Sequence, residues 1–451
     1  MNPSTKVRQF ILMIFAISVA LMFSSCKPSS DTAENTPATK QTIRLIGEAY
    51  APLDALDAMR SRFTDETGID VEIVRKSHTD VVAELSQDLA SGRTSYDLIL
   101  MPHRLLGRFV ESGQVVPLDA MLSRPEFAEL APTPGNFFEP WFHEISWYEG
   151  KQYGYPFTTL TMFVVYRKDL FEDESERREF SDRYGKDLAP PRTWDEYRDI
   201  VEFFNRPDED LYGTYINGQH HVALWYEWLN FVYGFGGDPL SFDETTGKWD
   251  VRVNSPEIIA ATEYYVSLLQ HAAPESLNYN WDDALALMQQ GRAAMGLMWS
   301  DSVPYLEIPE QSEVAGKIGY STIPTVQGGE IAQLEGWTYL IPKESKHQEA
   351  ALRFMLWAMQ PEVQVAQMLG GGASPQKPPY DNLAVKQLPY VPAFLASVPV
   401  ARPKPRIPES GELTERAVRR LANIISGAPV QRELDQLAAE YRDLLSRSGK
   451  P

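Results

Sequence analysis

A doubly wound α/β fold class is predicted by this sequence, and three observations predict it. Short apolar runs alternate with stretches of helical spacing from residue 43 to residue 113. A glycine closes each helical stretch, at Gly68, Gly92 and Gly113. The third apolar run, residues 96–101, is almost free of polar interruption, as expected of a parallel strand covered on both faces.

Taken in order, residues 43–46 form a buried strand, and Glu48-Ala49-Tyr50-Ala51-Pro52 is the loop that leaves it. Leu53, Leu56, Ala58, Met59 and Phe63 then recur at helical spacing up to Gly68. Residues 71–74 alternate as a second strand. Ser77-His78-Thr79-Asp80 opens a helix as a capping box with aspartate in place of glutamate, and the helix runs through Val82, Leu85 and Leu89. After the third strand, residues 105–110 are helical. This βαβαβα order gives a parallel sheet with helices on its faces. Ligands of such sheets sit beyond the carboxyl ends of the strands, where Glu48, Tyr50, His78, Pro102 and His103 stand.

Residues 153–157 and 161–166 read as strands leading out of this unit, and residues 169–191 as charged surface. Thr193 caps a helix over 194–204, and 213–216 is a short strand. Residues 222–233 form a very aromatic helix with Trp225, Tyr226, Trp228, Phe231 and Tyr233. A hairpin turns around Thr246-Gly247. Ser255-Pro256 starts a helix reaching residue 270, and 282–289 is another. Residues 293–299 are a buried strand that ends in Ser300-Asp301-Ser302. Runs 318–323 and 338–341 resume strand character, so both are expected to return to the first unit. Gly336-Trp337 opens the latter, Pro342 stops it, and Ser345 is expected to cap a helix carrying Ala350, Ala351, Phe354, Met355 and Ala358 on its apolar face. Amphipathic helices over 413–425 and 430–445 close the chain.

A chain of 451 residues has room for two or three domains, and 43 % hydrophobic residues supports a large core. The net charge of -20 disfavours nucleic acid and anionic membrane surfaces as partners. Lys6 and Arg8 precede an apolar run over 10–22, too short for a comfortable membrane span, and Phe23-Ser24-Ser25-Cys26 follows. Residues 1–25 therefore read as a signal peptide. It resembles the bacterial lipoprotein type, which implies lipid attachment at Cys26; ordinary cleavage leaving a free thiol is the alternative. Cys26 is the only cysteine, which excludes disulfides within the chain and cysteine-rich metal sites. Residues 26–41, rich in Ser, Thr, Pro and Ala, read as a flexible tether. Removing residues 1–25 takes away two basic and no acidic side chains, leaving a net charge of -22. No later segment is apolar enough to span a bilayer.

Several short motifs run in order along the chain. They are Tyr96-Asp97-Leu98-Ile99-Leu100 with Val116-Pro117-Leu118-Asp119; Tyr153-Gly154-Tyr155-Pro156 with Tyr166-Arg167-Lys168-Asp169-Leu170; Thr193-Trp194-Asp195-Glu196; Gly291-Arg292-Ala293-Ala294-Met295 with Trp299; Gly336-Trp337 with Ile341-Pro342-Lys343; and Ala401-Arg402-Pro403. In this order they resemble the family 1 extracellular solute-binding proteins, carbohydrate-type receptors of ATP-driven (ABC) importers. The resemblance implies a two-lobed α/β fold of the type II periplasmic-binding-protein kind, with discontinuous lobes joined by a hinge. Residues 42–152 and 318–360 would form lobe 1, and 153–317 and 361–451 lobe 2. It implies cleft closure over a solute, delivery to ABC permease subunits, and a membrane-anchored protein of the cell envelope facing the periplasm or cell exterior. A monomer with no cofactor, no bound metal and no enzymatic activity is expected.

A sugar or polyol presents apolar C–H faces and polar edges, so aromatic rings and hydrogen-bonding side chains suit it. The ligand-binding residues expected on these grounds are Trp337 and Trp299 at strand ends, Tyr50 on the first loop, Tyr155 at the hinge or cleft wall, and Trp225 and Tyr226 near the start of the aromatic helix. Asp301 and Glu335 are expected acceptors. His103 stands where relatives carry an acid or amide. Trp228 and Phe231 are expected to be structural, Arg402 to form a salt bridge within the fold, and His220-His221 to lie on the surface. A mono- or oligosaccharide or a polyol is the expected ligand. A polyamine, a metal ion or another small solute is the alternative, with a two-carboxylate glycoside hydrolase a remote one. No Gly-x-Ser-x-Gly elbow, P-loop, Gly-x-Gly-x-x-Gly or His-Glu-x-x-His motif occurs.

Overall fold

The computed structural model describes residues 41–139, 141–243 and 245–450. The signal peptide, the lipid site at Cys26 and all but the last residue of the tether lie outside the described residues.

Five strands form the first sheet, in the spatial order Asp70–Lys76, Thr42–Glu48, Leu98–Pro102, Glu335–Leu340 and Gly154–Leu160. The first three are parallel, and the helices Ala51–Thr67 and His78–Ala90 connect them. The first begins at Ala51, inside the expected loop, with Pro52 in its first turn, and the second opens at His78 as the sequence directs. Gly68 closes the first in the left-handed conformation, and the Ser77 side chain accepts from the Asp80 N–H to open the second. Glu335–Leu340 runs antiparallel to both of its neighbours.

The second sheet has three antiparallel strands in the order Met295–Trp299, Met162–Arg167 and Ile318–Ser321. The chain passes from one sheet to the other at Thr161. This buried residue is tied to the end of the Met295–Trp299 strand, since Ser300 N donates to Thr161 O at 2.9 Å. A small sheet of Ile323–Pro324, Glu330–Gln333 and Ala401–Arg402 accompanies the return path.

Four expectations change. Ile318–Ser321 pairs with Met162–Arg167, so only Glu335–Leu340 rejoins the first sheet. Gly154–Leu160, expected to leave the first unit, is its edge strand, so that sheet extends past residue 152 to Leu160. Residues 213–216 form no strand: Thr214 makes an isolated bridge with Ala272, and Tyr212, just before the stretch, makes another with Ala293. The helix expected from Ser345 starts at Gln348. Ser345 instead donates to Asp97 Oδ1 at 2.7 Å and accepts from His347 N at 3.1 Å, which ties the turn to the start of the third strand.

One glycine fixes the geometry beside Trp337. A Cβ on Gly336 would lie 2.5 Å from the Thr158 carbonyl oxygen and 2.4 Å from Ile145 Cδ1. Only a bare backbone lets these strands meet there. The pairing of Glu335–Leu340 with Gly154–Leu160 then slips between Trp337 and Thr338. The closing helices Ser410–Ile425 and Val430–Arg447 pack on each other and on the aromatic helix Val222–Gly234 and its neighbour Pro256–Ser267. Among the described residues, no helix is long and apolar enough to cross a membrane.

Candidate functional site

Side chains from both sheets' connections meet beyond the ends of the first three strands. Glu48 ends the first strand, His78 begins the helix after the second, and Trp337 lies opposite Pro102 at the end of the third. His78 Nδ1 is 3.2 Å from Glu48 Oε2. The His78 ring stands edge-on to two indoles, Trp337 at 5.4 Å and Trp281 at 5.3 Å between centroids. Tyr50 tilts against Trp337 at 6.0 Å. His221 lies 4.6 Å from Trp281. Trp281 opens the helix Trp281–Gln289 through a full capping box on Asn280 and Asp283. That box sets where the indole emerges.

Two buried polar atoms in this cage, Tyr50 Oη and His78 Nε2, have no protein hydrogen-bond partner. Such atoms are uncommon and point to an outside partner. Burial first, and then the charge of Glu48, push the Asp301 carboxyl up to about 7. The same two causes raise Asp282. Burial, with Glu48 and Asp301 adding, pushes the Tyr50 hydroxyl well up. Among the described residues no Lys or Arg pairs with Glu48, Asp282 or Asp301, so this end of the site is acidic and rich in acceptors.

A second cluster adjoins it. Glu335 is two residues from Trp337 on the same strand, and its carboxylate meets His103 Nδ1 at 2.7 Å and Lys404 Nζ at 3.3 Å. All three side chains are buried. Burial works to raise the Glu335 carboxyl, but His103 and Lys404 outweigh it and hold the group well below the usual carboxylate range. Lys404 also donates to the Leu334 carbonyl at 2.8 Å. Glu335 is thus engaged by the fold through Oε1, while its Oε2, close to Lys404, has no hydrogen-bond partner. His103 spends Nδ1 on Glu335, while its Nε2 has no partner. Arg104 Nε donates to Tyr226 Oη at 2.9 Å, and the Tyr226 ring stands edge-on to Trp299 at 5.1 Å. Trp225 and Arg104 line a cavity of about 40 Å³ with Tyr233, Asp238, Thr414 and Tyr441.

Two sequence expectations are corrected here. Tyr155 is core: its ring lies 6.0 Å from both Phe137 and Phe142, because the helix Trp141–Ser146 covers this edge of the sheet. His221 is half-buried, whereas its neighbour His220 is exposed as expected. His221 Nδ1 accepts from Ala223 N at 3.3 Å to cap the aromatic helix, and burial, then His78, lower its pKa. Trp228 and Phe231 are structural as expected, through a 2.9 Å bond to Thr262 Oγ1 and a stack on Trp194 at 4.5 Å. Arg402 lies over Tyr233 at 4.7 Å and 3.6 Å from Asp238. Sequence reasoning placed Glu48 and His78 at strand ends without singling them out, and it missed Trp281, Arg104 and Lys404. The Asn280–Asp283 capping pattern and the position after His103 were signals for the first two; Lys404 sits in an extended segment with no periodicity.

A mixed sheet joined by a crossing strand to a second sheet, with rings and carboxylates gathered at strand ends, defines a protein built to enclose a small solute. Residues 45–365 match the family model of the bacterial extracellular solute-binding proteins, and the chain belongs to that family. A mannitol-binding protein of Pseudomonas aeruginosa is 24 % identical over 305 residues, covering 64 % of this chain and 64 % of its own length. A maltotriose-binding protein of Pyrococcus abyssi is 24 % identical over 226 residues, 50 % of this chain and 42 % of its own. Among solved structures, a solute-binding protein of an ABC transporter from Agrobacterium radiobacter K84, in complex with ribitol, superposes with a TM-score of 0.79 at 24 % identity, over 90 % of this chain and 98 % of that one. Maltose-bound MalE3 of T. maritima gives 0.77 at 23 %, over 90 % and 100 %. At these identities the likeness establishes the fold, which is the two-lobed type II architecture implied by the sequence.

Proposed function

We propose that the protein is the receptor of an ABC importer that captures a mono- or oligosaccharide, or a polyol, between its lobes and presents it to the permease. The observation that carries this is the cage of Tyr50, His78, Trp337 and Trp281, with unpartnered polar atoms on Tyr50 and His78. A sugar's C–H face stacks on the rings while its hydroxyls donate to Glu48 and Asp301. The mannitol- and maltotriose-binding relatives and the ribitol- and maltose-bound neighbours support the same ligand class. In this reading the lobes divide at Thr161 and Leu334, and closure excludes water from the cage. A lipid on Cys26 holds the protein, a monomer, on the outer face of a membrane. It binds and releases its ligand unchanged, with no catalytic step.

The test is a thermal-shift screen of sugars, polyols, amines and metal salts on the purified protein, followed by titration of tryptophan fluorescence. A sugar or polyol should bind, and Trp337→Ala should weaken it about 10- to 100-fold, the loss of one stacked, desolvated ring. Trp281→Ala, which removes a less buried ring, does the same work where Trp337→Ala fails to fold. Unchanged affinity in both variants overturns the site. Stabilisation by amines alone overturns the ligand class in favour of a second reading, a polyamine receptor. That reading is favoured by Glu48, Asp282 and Asp301 standing without a Lys or Arg partner among the described residues.

A further inference from the structure

Arg104 is a buried cation short of an anion. Its residue is 6 % exposed, and it follows His103 at the end of the third strand. Its one hydrogen bond among the described residues runs from Nε to Tyr226 Oη, so neither terminal nitrogen has a protein acceptor. Its other contact is with the face of the same ring, at 6.0 Å. The acids nearby are engaged elsewhere. Glu335 is shared by His103 and Lys404, Asp238 faces Arg402 at 3.6 Å, and Glu227 accepts from Asn217 and Tyr265. Lys404 takes the carboxylate of Glu335, and Arg104 is left without an ion pair among the described residues. A buried charge without a counter-charge is costly, by several kcal/mol in the limit, and folds retain one where something else completes it.

The side chain faces the cavity of about 40 Å³ between the third strand's loop, the aromatic helix and the helix Ser410–Ile425. About 10–15 Å³ admits one water, so this space takes a carboxylate. Its walls suit a sugar's end: Trp225, Tyr233 and Tyr441 supply apolar faces. The Ser410 and Thr414 hydroxyls donate to the Pro405 and Ser410 carbonyls, which leaves their oxygens as acceptors and not as anion-binding donors. Recognition of an anion here falls to the planar guanidinium, which matches a carboxylate through two parallel N–H bonds.

We infer that Arg104 and this cavity form a subsite for a carboxylate on the solute, so that the ligand is an acidic sugar, a uronate or an aldonate. The inference rests on the carbohydrate reading and specifies it. In this inference the sugar's hydroxylated part takes the acceptor-rich cage at Trp337, and its carboxylate takes Arg104, whose partner Tyr226 also touches Trp299.

Matched pairs test it: glucuronate with glucose, galacturonate with galactose, gluconate with glucitol and mannonate with mannitol, each titrated against the purified protein and its Arg104→Gln and Arg104→Lys variants. In the pair that binds, the acid should bind at least about tenfold more tightly than its neutral partner, as a charge-assisted bidentate contact does. Arg104→Gln should erase that preference, the acid losing at least about tenfold more affinity than its neutral partner, and Arg104→Lys should keep part of it. Retained binding of the neutral member shows that the variant is folded; where Arg104→Gln does not fold, the wild-type ratio and Arg104→Lys decide. A neutral sugar that binds more tightly than its acid, or a preference that survives Arg104→Gln, overturns the subsite and leaves the carbohydrate reading standing. Failure of every sugar and polyol, neutral and acidic, overturns the carbohydrate reading and the subsite with it.

Discussion

Asp301 shows how the candidate site stores instability in one residue. Its carboxyl is pushed up to about 7 by burial and by Glu48. An ordinary aspartate titrates near 3.9. Between those values the folded protein keeps a proton that the unfolded chain has released, so stability falls as pH rises through this window. Asp301→Asn keeps the shape and removes the charge. It should stabilise the ligand-free protein by about 1–2 kcal/mol at pH 8 and by little at pH 4. The full shift would give about 4 kcal/mol, and the figure is reduced because the side chain retains solvent contact. Urea unfolding of both proteins at the two pH values reads this. An equal effect at both, or a loss at pH 8, would show the carboxylate to be a structural partner. The positions of Tyr50, Trp299, Asp301 and Trp337 at or just beyond strand ends were legible in the sequence, because strand ends are where a doubly wound sheet gathers its loops. Glu335 was not. Its commitment depends on Lys404, 69 positions on, and no local pattern announces that pairing.

At the scale of elements, the helix Val222–Gly234 is buried on nearly every face, and its one acid reveals how it is held. Glu227 accepts from Asn217 N at 2.8 Å, Asn217 Nδ2 at 2.9 Å and Tyr265 Oη at 2.5 Å. It thereby joins three segments. Glu227→Gln puts an N–H₂ group where three donors converge, and should cost about 2–3 kcal/mol of stability in denaturant unfolding. A variant as stable as the wild type would mean that the donors find other acceptors. The helix was plain from spacing and composition; its anchor was not, since Tyr265 lies on the next helix but one turn of sequence pattern cannot pair them. Sheet membership was hidden in the same way. Residues 318–321 have the apolar, β-branched look of a strand, but that look is common to both sheets, and hydrogen bonding to Met162–Arg167 decides the matter. Ser345 carries the chemistry of a cap, and Asp97 captures its hydroxyl first.

Over the whole molecule, the order of elements and the motifs sufficed for the two-lobed class, because each lobe's crossover pattern survives interruption by the other. What they left open is which contacts closing the cleft makes. Two stand out, since each joins the first sheet's loops to elements of the second unit: the His78 ring against Trp281, and Arg104 Nε on Tyr226 Oη. Both flank the proposed ligand, so a ligand that stacks on Trp337 draws the same elements together. Binding at 100 times Kd should add about 2.7 kcal/mol to the unfolding free energy by mass action alone. Hydrogen exchange should then slow in the helices Trp281–Gln289 and Val222–Gly234 well beyond the change in the strands Thr42–Glu48 and Asp70–Lys76, whose bonds are fully made within one lobe. His78→Ala should remove most of the added protection at Trp281–Gln289 while leaving that at the aromatic helix, because only the first contact runs through His78. Uniform protection of all four elements would instead signal global stabilisation without closure, and loss of protection at both helices would mean that the two contacts form as one unit.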